Sequence, residues 1–131
     1  MPLNDQDRAA DLDRARAVVN DAGAAGLERR PWQQSGQPAS DADLVRFTAW
    51  SARDAKRADP TVMHAGLRLL ASARAELDQA ESALLFAARG VGMTWPQIAD
   101  ALGLASAQAA QQRLNRVLTR TSDPETRAQP W

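Results

Sequence analysis

The stretch TWPQIADALGLAS, residues 94–106, constrains the chain more than any other, because it encodes a helix start, an apolar face, a stop and a second start using neighbours alone. Thr94 is placed to N-cap a helix, and Gln97, three residues on, can return the hydrogen bond as a capping box. Pro96 falls in the first turn, where N–H groups have no intrahelical acceptor, so its ring breaks nothing. Trp95, Ile98, Ala99 and Leu102 follow at i, i+3, i+4 and i+7 and make one apolar face. Ala99 is small enough for a second helix to cross closely there. Gly103 is expected to close the helix at positive φ, with Leu104 turned back toward the core.

Ser106 is positioned to cap a longer helix over 107–120. Its inner face carries Ala110, Leu114, Val117 and Leu118. The opposite face carries Gln108, Gln112, Asn115, Arg116 and Thr119, with Gln111 to one side. That face has no carboxylate, whereas an ordinary solvated helix face mixes Glu with Lys or Arg. Gln and Asn can bond adenine bidentately through N6 and N7, and Arg reads guanine or neutralises phosphate. Upstream, a helix end at Arg89 runs into a Gly-bounded turn at Gly90 and Gly92. Together these parts make the outline of a helix-turn-helix, which places its second helix in the major groove of DNA.

TWPQIADALGLASAQAAQQRL resembles the helix-turn-helix of small DNA-binding proteins from high-GC bacteria, in which W-x-x-I-A-x-A-L-G precedes a turn and a Q-A-A-x-Q-R run. It is also similar to the helix-turn-helix of sigma-factor region 4. The resemblance implies DNA binding by the helix after Ser106 and carries Gln108, Gln111, Gln112 and Arg113 to that helix. The turn Gly103-Leu104-Ala105-Ser106 is one residue longer than the tightest form of the motif.

The preceding segment reads as one long helix over 60–89, started by Asp59 and Pro60 as N-cap and first helical residue. Met63, Leu70, Leu77 and Leu84 recur every seven residues, and Gly66, Ala73, Ala80 and Ala87 fall between them. Leu67, Leu69 and Leu85 lie off that seam. Such a helix would span about 45 Å at 1.5 Å per residue. It can pack inside one subunit as part of a bundle, pair with its own copy, or do both on different faces.

Residues 1–59 read as an N-terminal helical region. The first helix, over 1–22, is capped by Asn4 or Asp5 and carries a thin apolar stripe of Leu12, Ala15, Val18, Val19 and Ala22. Its Asp7, Asp11 and Asp13 lie among Arg8, Arg14 and Arg16 and read as a solvated face of i,i+3 and i,i+4 pairs. Periodicity lapses over 23–40, a Gly- and Pro-rich loop in which Trp32 is expected to dock on the helical body. Arg29 and Arg30 lie in the same loop. A further helix is expected from Ser40 to about Arg57, with Leu44, Val45, Phe47 and Trp50 as its apolar face. The division is therefore 1–59, then 60–120 as the long helix plus DNA-binding helices, then a polar tail over 121–131 that ends in Trp131.

Composition narrows the function classes. The chain has 131 residues, no cysteine and no net charge, which bounds it to one domain, or one small domain with an appendage, and leaves no disulfide or thiolate metal site. Charge is unevenly distributed: residues 89–131 carry five arginines against three acids, and residues 1–88 carry eleven bases against thirteen acids. The bias is mild, so a single reading head should bind weakly and a dimer better. No run approaches the roughly 20 apolar residues of a membrane span, and no signal peptide opens the chain, so a cytoplasmic, nucleoid location is expected. The single histidine, His64, has no evident catalytic companion, and no phosphate loop or zinc spacing occurs. The expectation is an all-α protein of about five helices without cofactor, metal or enzymatic activity, binding double-stranded DNA as a transcriptional regulator. Its contact residues would be Thr94, Ser106, Gln108, Gln111, Gln112, Arg113, Asn115, Arg116 and Arg120, and it would dimerise through the N-terminal and long helices. A nucleoid-associated binder of low sequence preference and a protein-interaction module are the alternatives.

Overall fold

A computed structural model describes residues 4–121, with side chains up to Thr119. Among them the structure is all-helical, with six α-helices, one 3-10 turn and no strand. In chain order these are α1 (Asp5–Asp21), a 3-10 turn at Ala24–Gly26, α2 (Asp41–Ser51), α3 (Pro60–Arg68), α4 (Leu70–Gly90), α5 (Trp95–Ala101) and α6 (Ala107–Thr121). No helix among the described residues is long and apolar enough to cross a membrane. The tail beyond Thr121, Trp131 included, lies outside the described residues. The chain divides into two compact units, Met1–Arg74 and Ala75–Trp131, and each has its own apolar cluster.

The first unit packs α1, α2 and α3 on one another. Its cluster joins Ala15 and Val19 of α1, Ala24, Leu44 of α2, and Ala65 and Leu69 from the third helix and its end. Asn4, not Asp5, caps α1, its Oδ1 accepting from the Asp7 N–H at 2.8 Å. Asp59 and Pro60 start α3 as read, with the Asp59 carboxylate accepting from the Thr61 N–H.

Four readings of this unit are corrected. The helix over 60–89 is two helices, because Leu69 bonds back to Gly66 O at 3.1 Å, an i−3 turn that interrupts the α-helical ladder. Leu69 is fully buried among α1 and α2 residues, so this part of the segment belongs to the first core. The second helix stops at Ser51, and its buried line is Asp41, Leu44, Thr48 and Ser51, leaving Trp50 exposed. The Thr48 and Ser51 hydroxyls can be buried because each donates to a backbone carbonyl one turn back, at 2.8 Å. Thr48 is also where α3 comes closest: a Cβ built on Gly66 would stand 2.5 Å from Thr48 Cγ2.

The third correction concerns the loop. Trp32 does not dock; it is 79% exposed. Gln33 fixes the loop instead, its Oε1 accepting from Arg30 N–H at 2.7 Å and its Nε2 donating to Pro38 O at 3.0 Å. A loop folded on itself leaves backbone groups without ladder partners, and one buried amide satisfies a donor and an acceptor together.

The fourth concerns the charged face of α1, which is not wholly solvated. Arg16 bonds Asp13 locally but also forks onto the α2 carboxylate Asp41 at 2.7 and 2.8 Å. Arg68 reaches Asp11 at 3.0 Å. Ser72 donates to the same Asp41 carboxylate. Burial alone raises the Asp41 pKa, but the hydrogen bonds from Arg16 and Ser72 outweigh it and hold the carboxyl below its ordinary value. The bond to Asp41, working against burial, raises the Arg16 guanidinium in turn.

The second unit is simpler. Leu85, Ile98, Ala99, Ala110 and Leu114 form its cluster, with Ala88, Met93, Trp95, Leu102, Leu104 and Leu118 packed around it. The fourth helix supplies Leu85 and Ala88, and α5 and α6 pack closely, as the two buried alanines 99 and 110 allow.

Candidate nucleic-acid interface

The helix pair α5–α6 is positioned by local chemistry. Helix α4 ends in a left-handed Gly92 (φ 92°), with Met93 N–H on Ala88 O and Gly92 N–H on Arg89 O, both at 3.0 Å. That is a Schellman close. Thr94 then opens α5 with the full capping box: its Oγ accepts from Gln97 N–H, and Gln97 Oε1 accepts from Thr94 N–H at 2.8 Å. A second Schellman close follows at Gly103 (φ 71°), where Leu104 N–H meets Ala99 O at 2.8 Å and Gly103 N–H meets Asp100 O. Both glycines adopt a conformation that costs an L side chain about 1–2 kcal/mol. Ser106 opens α6, its Oγ accepting from Ala109 N–H at 3.1 Å.

The inner and outer faces of α6 separate cleanly. Ala110, Leu114 and Val117 are buried and Leu118 is half-buried, whereas Gln108, Gln111, Gln112, Asn115, Arg116 and Thr119 are exposed. At 3.6 residues per turn those six fall within an arc of roughly 140°. Among the described residues no hydrogen bond or ion pair engages the side chains of Gln108, Gln111, Gln112, Asn115 or Arg116. Thr119 Oγ1 donates to Asn115 O one turn back. Arg113, Asn115, Arg116 and Thr119 line an open recess of about 590 Å³ along this surface.

Of the described contact residues, Thr94, Ser106 and Arg113 stand apart from that arc. Thr94 is at the start of α5, its hydroxyl engaged in the cap. Arg113 turns to the flank, and its Nε donates to Glu81 Oε1 of α4 at 2.8 Å, so its charge is compensated within the unit. The side chain of Arg120 lies outside the described residues. Sequence reading missed Glu81, because a carboxylate 32 residues from its arginine leaves no periodic trace. It also missed Arg89, which donates to Met93 O at 2.9 Å and lies 5.0 Å over the Trp95 ring, bracing the corner between α4 and α5.

Comparison with protein-family models, with curated proteins and with solved structures finds no match to this chain.

Proposed function

We propose that α6 enters the major groove of duplex DNA and that the chain is a sequence-specific DNA-binding protein acting in transcriptional regulation. One observation carries the reading: four amide side chains and one arginine share an exposed face that has no carboxylate and no intramolecular partner among the described residues. Groups of this kind are held ready for outside hydrogen-bond partners, and amides suit adenine edges in particular. The likeness of residues 94–114 to bacterial helix-turn-helix sequences supports the same assignment.

In this reading Gln108, Gln111, Gln112 and Asn115 meet base edges. Ser106 with the N–H groups behind it, and Arg116 with Arg120, hold the phosphate backbone. Arg113 becomes a positioning residue, because its bond to Glu81 braces α6 against α4 instead of leaving a free cation. With so few cations, the salt dependence should be shallow, since the slope is about −0.9 per phosphate neutralised.

The test is selection and sequencing of genomic fragments retained by the protein, followed by anisotropy with Gln112→Ala. A bidentate base contact is worth about 1–3 kcal/mol of discrimination, so the variant should lose about tenfold on the selected site and almost nothing on random duplex. Equal losses on both would remove the base-reading role of Gln112. Retention without a shared motif would replace a regulator with a coating protein, and no retention would end the DNA reading.

A further inference from the structure

We propose that two copies of this chain associate through a heptad stripe on α4, with the two helices antiparallel. Leu77 and Leu84 of α4 follow at seven-residue spacing and are 57% and 71% exposed, and Val91, one residue past the helix end, continues the spacing at 81%. Ala80, Ala83 and Ala87 lie exposed beside them. The core-facing Leu85 of the same helix emerges about a quarter of a turn from Leu84, as the 100° step between residues requires, and half-buried Ala88 borders the stripe. The strip from Leu77 through Ala80 and Leu84 to Ala87 carries no charge, with Glu76 at its edge beside Ala83, and repeated large apolar side chains on such a strip mark a surface that is covered in use.

The pattern itself selects the occupant. A leucine at one heptad position and an alanine at the other is self-complementary when the second helix runs the opposite way. With the twofold axis level with residue 82, Leu77 of one copy meets Ala87 of the other, and Ala80 meets Leu84. Ala83 falls beside the axis in both copies, where its small side chain permits close approach. A parallel pair would set leucine against leucine in one layer and alanine against alanine in the next, so that large and small side chains no longer match. In the antiparallel pair the carboxylate nearest the axis is Glu81, and Arg113 accompanies each one at 2.8 Å. The apolar stripe of α1 is not available for the same purpose, since Ala15 and Val19 are buried in the first unit's own core.

Four such layers bury on the order of 1,000 Å², the low end for specific association. An interface of that size makes the dimer weak enough to depend on concentration. It supplies the second reading head that a weakly basic recognition helix needs, but it does not rest on the DNA-binding reading.

Sedimentation velocity of the full chain without DNA, from low to high micromolar, reads the self-association directly. A monomer–dimer equilibrium is expected. Leu84→Glu should remain monomeric throughout while keeping its circular dichroism spectrum and melting curve, because Leu84 is exposed. Leu67→Glu, on α3 and off the stripe, should dimerise like the parent. Direction is read by oxidation, the chain having no cysteine of its own: Ala83→Cys should cross-link two copies, and Val91→Cys should not. A parent chain that stays monomeric at every concentration, or a Leu84→Glu variant that still dimerises, overturns the interface. Cross-linking through Val91→Cys in place of Ala83→Cys overturns the antiparallel arrangement. DNA binding is measured separately, so the failure of either reading leaves the other readable.

Discussion

The first unit is tied together by residues far apart in the chain, and the second by residues that are neighbours. In the first, Asp41 of α2 receives Arg16 from α1 and Ser72 from α4, and Arg68 of α3 reaches Asp11 of α1. Gly66 and Thr48 set the approach of α3 to α2. In the second, a capping box and two Schellman closes shape the chain from Ala88 to Leu104, and a small apolar cluster completes it. The Arg113–Glu81 pair and the contact of Leu85 with Ala110 and Leu114 span longer intervals there. In the proposed DNA-binding reading the difference bears on use: a helix that presents a fixed outer face is held by geometry local to its own turn, whereas the other unit depends on distant pairs that must all arrive together.

Gly66→Ala should disturb the first unit most. In an exposed helix interior that change stabilises by up to about 1 kcal/mol. Here the new methyl would collide with Thr48, whose Oγ1 is committed to Leu44 O and cannot easily turn away. Sterics should win, with a net destabilisation of about 2–3 kcal/mol. Hydrogen exchange should show faster opening of α1, α2 and α3, with α5 and α6 unaffected. If Gly66→Ala raises stability, the helices are not packed as closely as Gly66 and Thr48 indicate.

The same contrast explains what could be read from sequence. Thr94, Gln97, Gly103, Leu104 and Ser106 each bond to a partner within five residues, so their pattern and their structure are nearly the same thing. The buried face of α6 followed from period alone, since Ala110, Leu114 and Val117 recur at helical spacing. Asp41, by contrast, reads as one more acid in a first turn, and nothing local announces Arg16 or Ser72 as its partners. Hydrophobicity misled at Trp32 and Trp50, which stay exposed, while Gln33 and Thr48 are buried because their polar atoms find backbone partners. The heptad pattern over 63–84 was real, but it could not reveal that Leu69 would anchor in a different core and interrupt the helix.

A smaller effect is expected from Asp41→Asn, about 2 kcal/mol, because the buried carboxylate is exchanged for an amide that cannot accept the Arg16 fork and the Ser72 hydroxyl together. The pH dependence has a definite sign. The folded carboxyl lies below its unfolded value of about 3.9, so the stabilisation is fully present above that value and is lost as pH falls through the lower, folded one. Urea unfolding of parent and variant should therefore differ near neutrality and converge in acid, with the change confined to the first unit. A difference that persisted below both values would mean that the carboxylate charge is not what Asp41 contributes.

Thr94→Ala tests the other half of the comparison and should have the smallest effect. It removes the Oγ acceptor for Gln97 N–H but leaves Thr94 N–H free to donate to Gln97 Oε1, so only half of the capping box is lost. Loss of such a cap costs about 1 kcal/mol, and Thr94→Ser should restore most of it. The cost should appear only in exchange from α5 and α6, with the first unit unmoved. It should also weaken binding to specific and random duplex alike if it acts by fraying α5, since the amides of α6 are untouched. A Thr94→Ala protein that kept full stability but lost affinity would instead make the Thr94 hydroxyl a contact in its own right, and α5 would then join α6 as part of the reading surface.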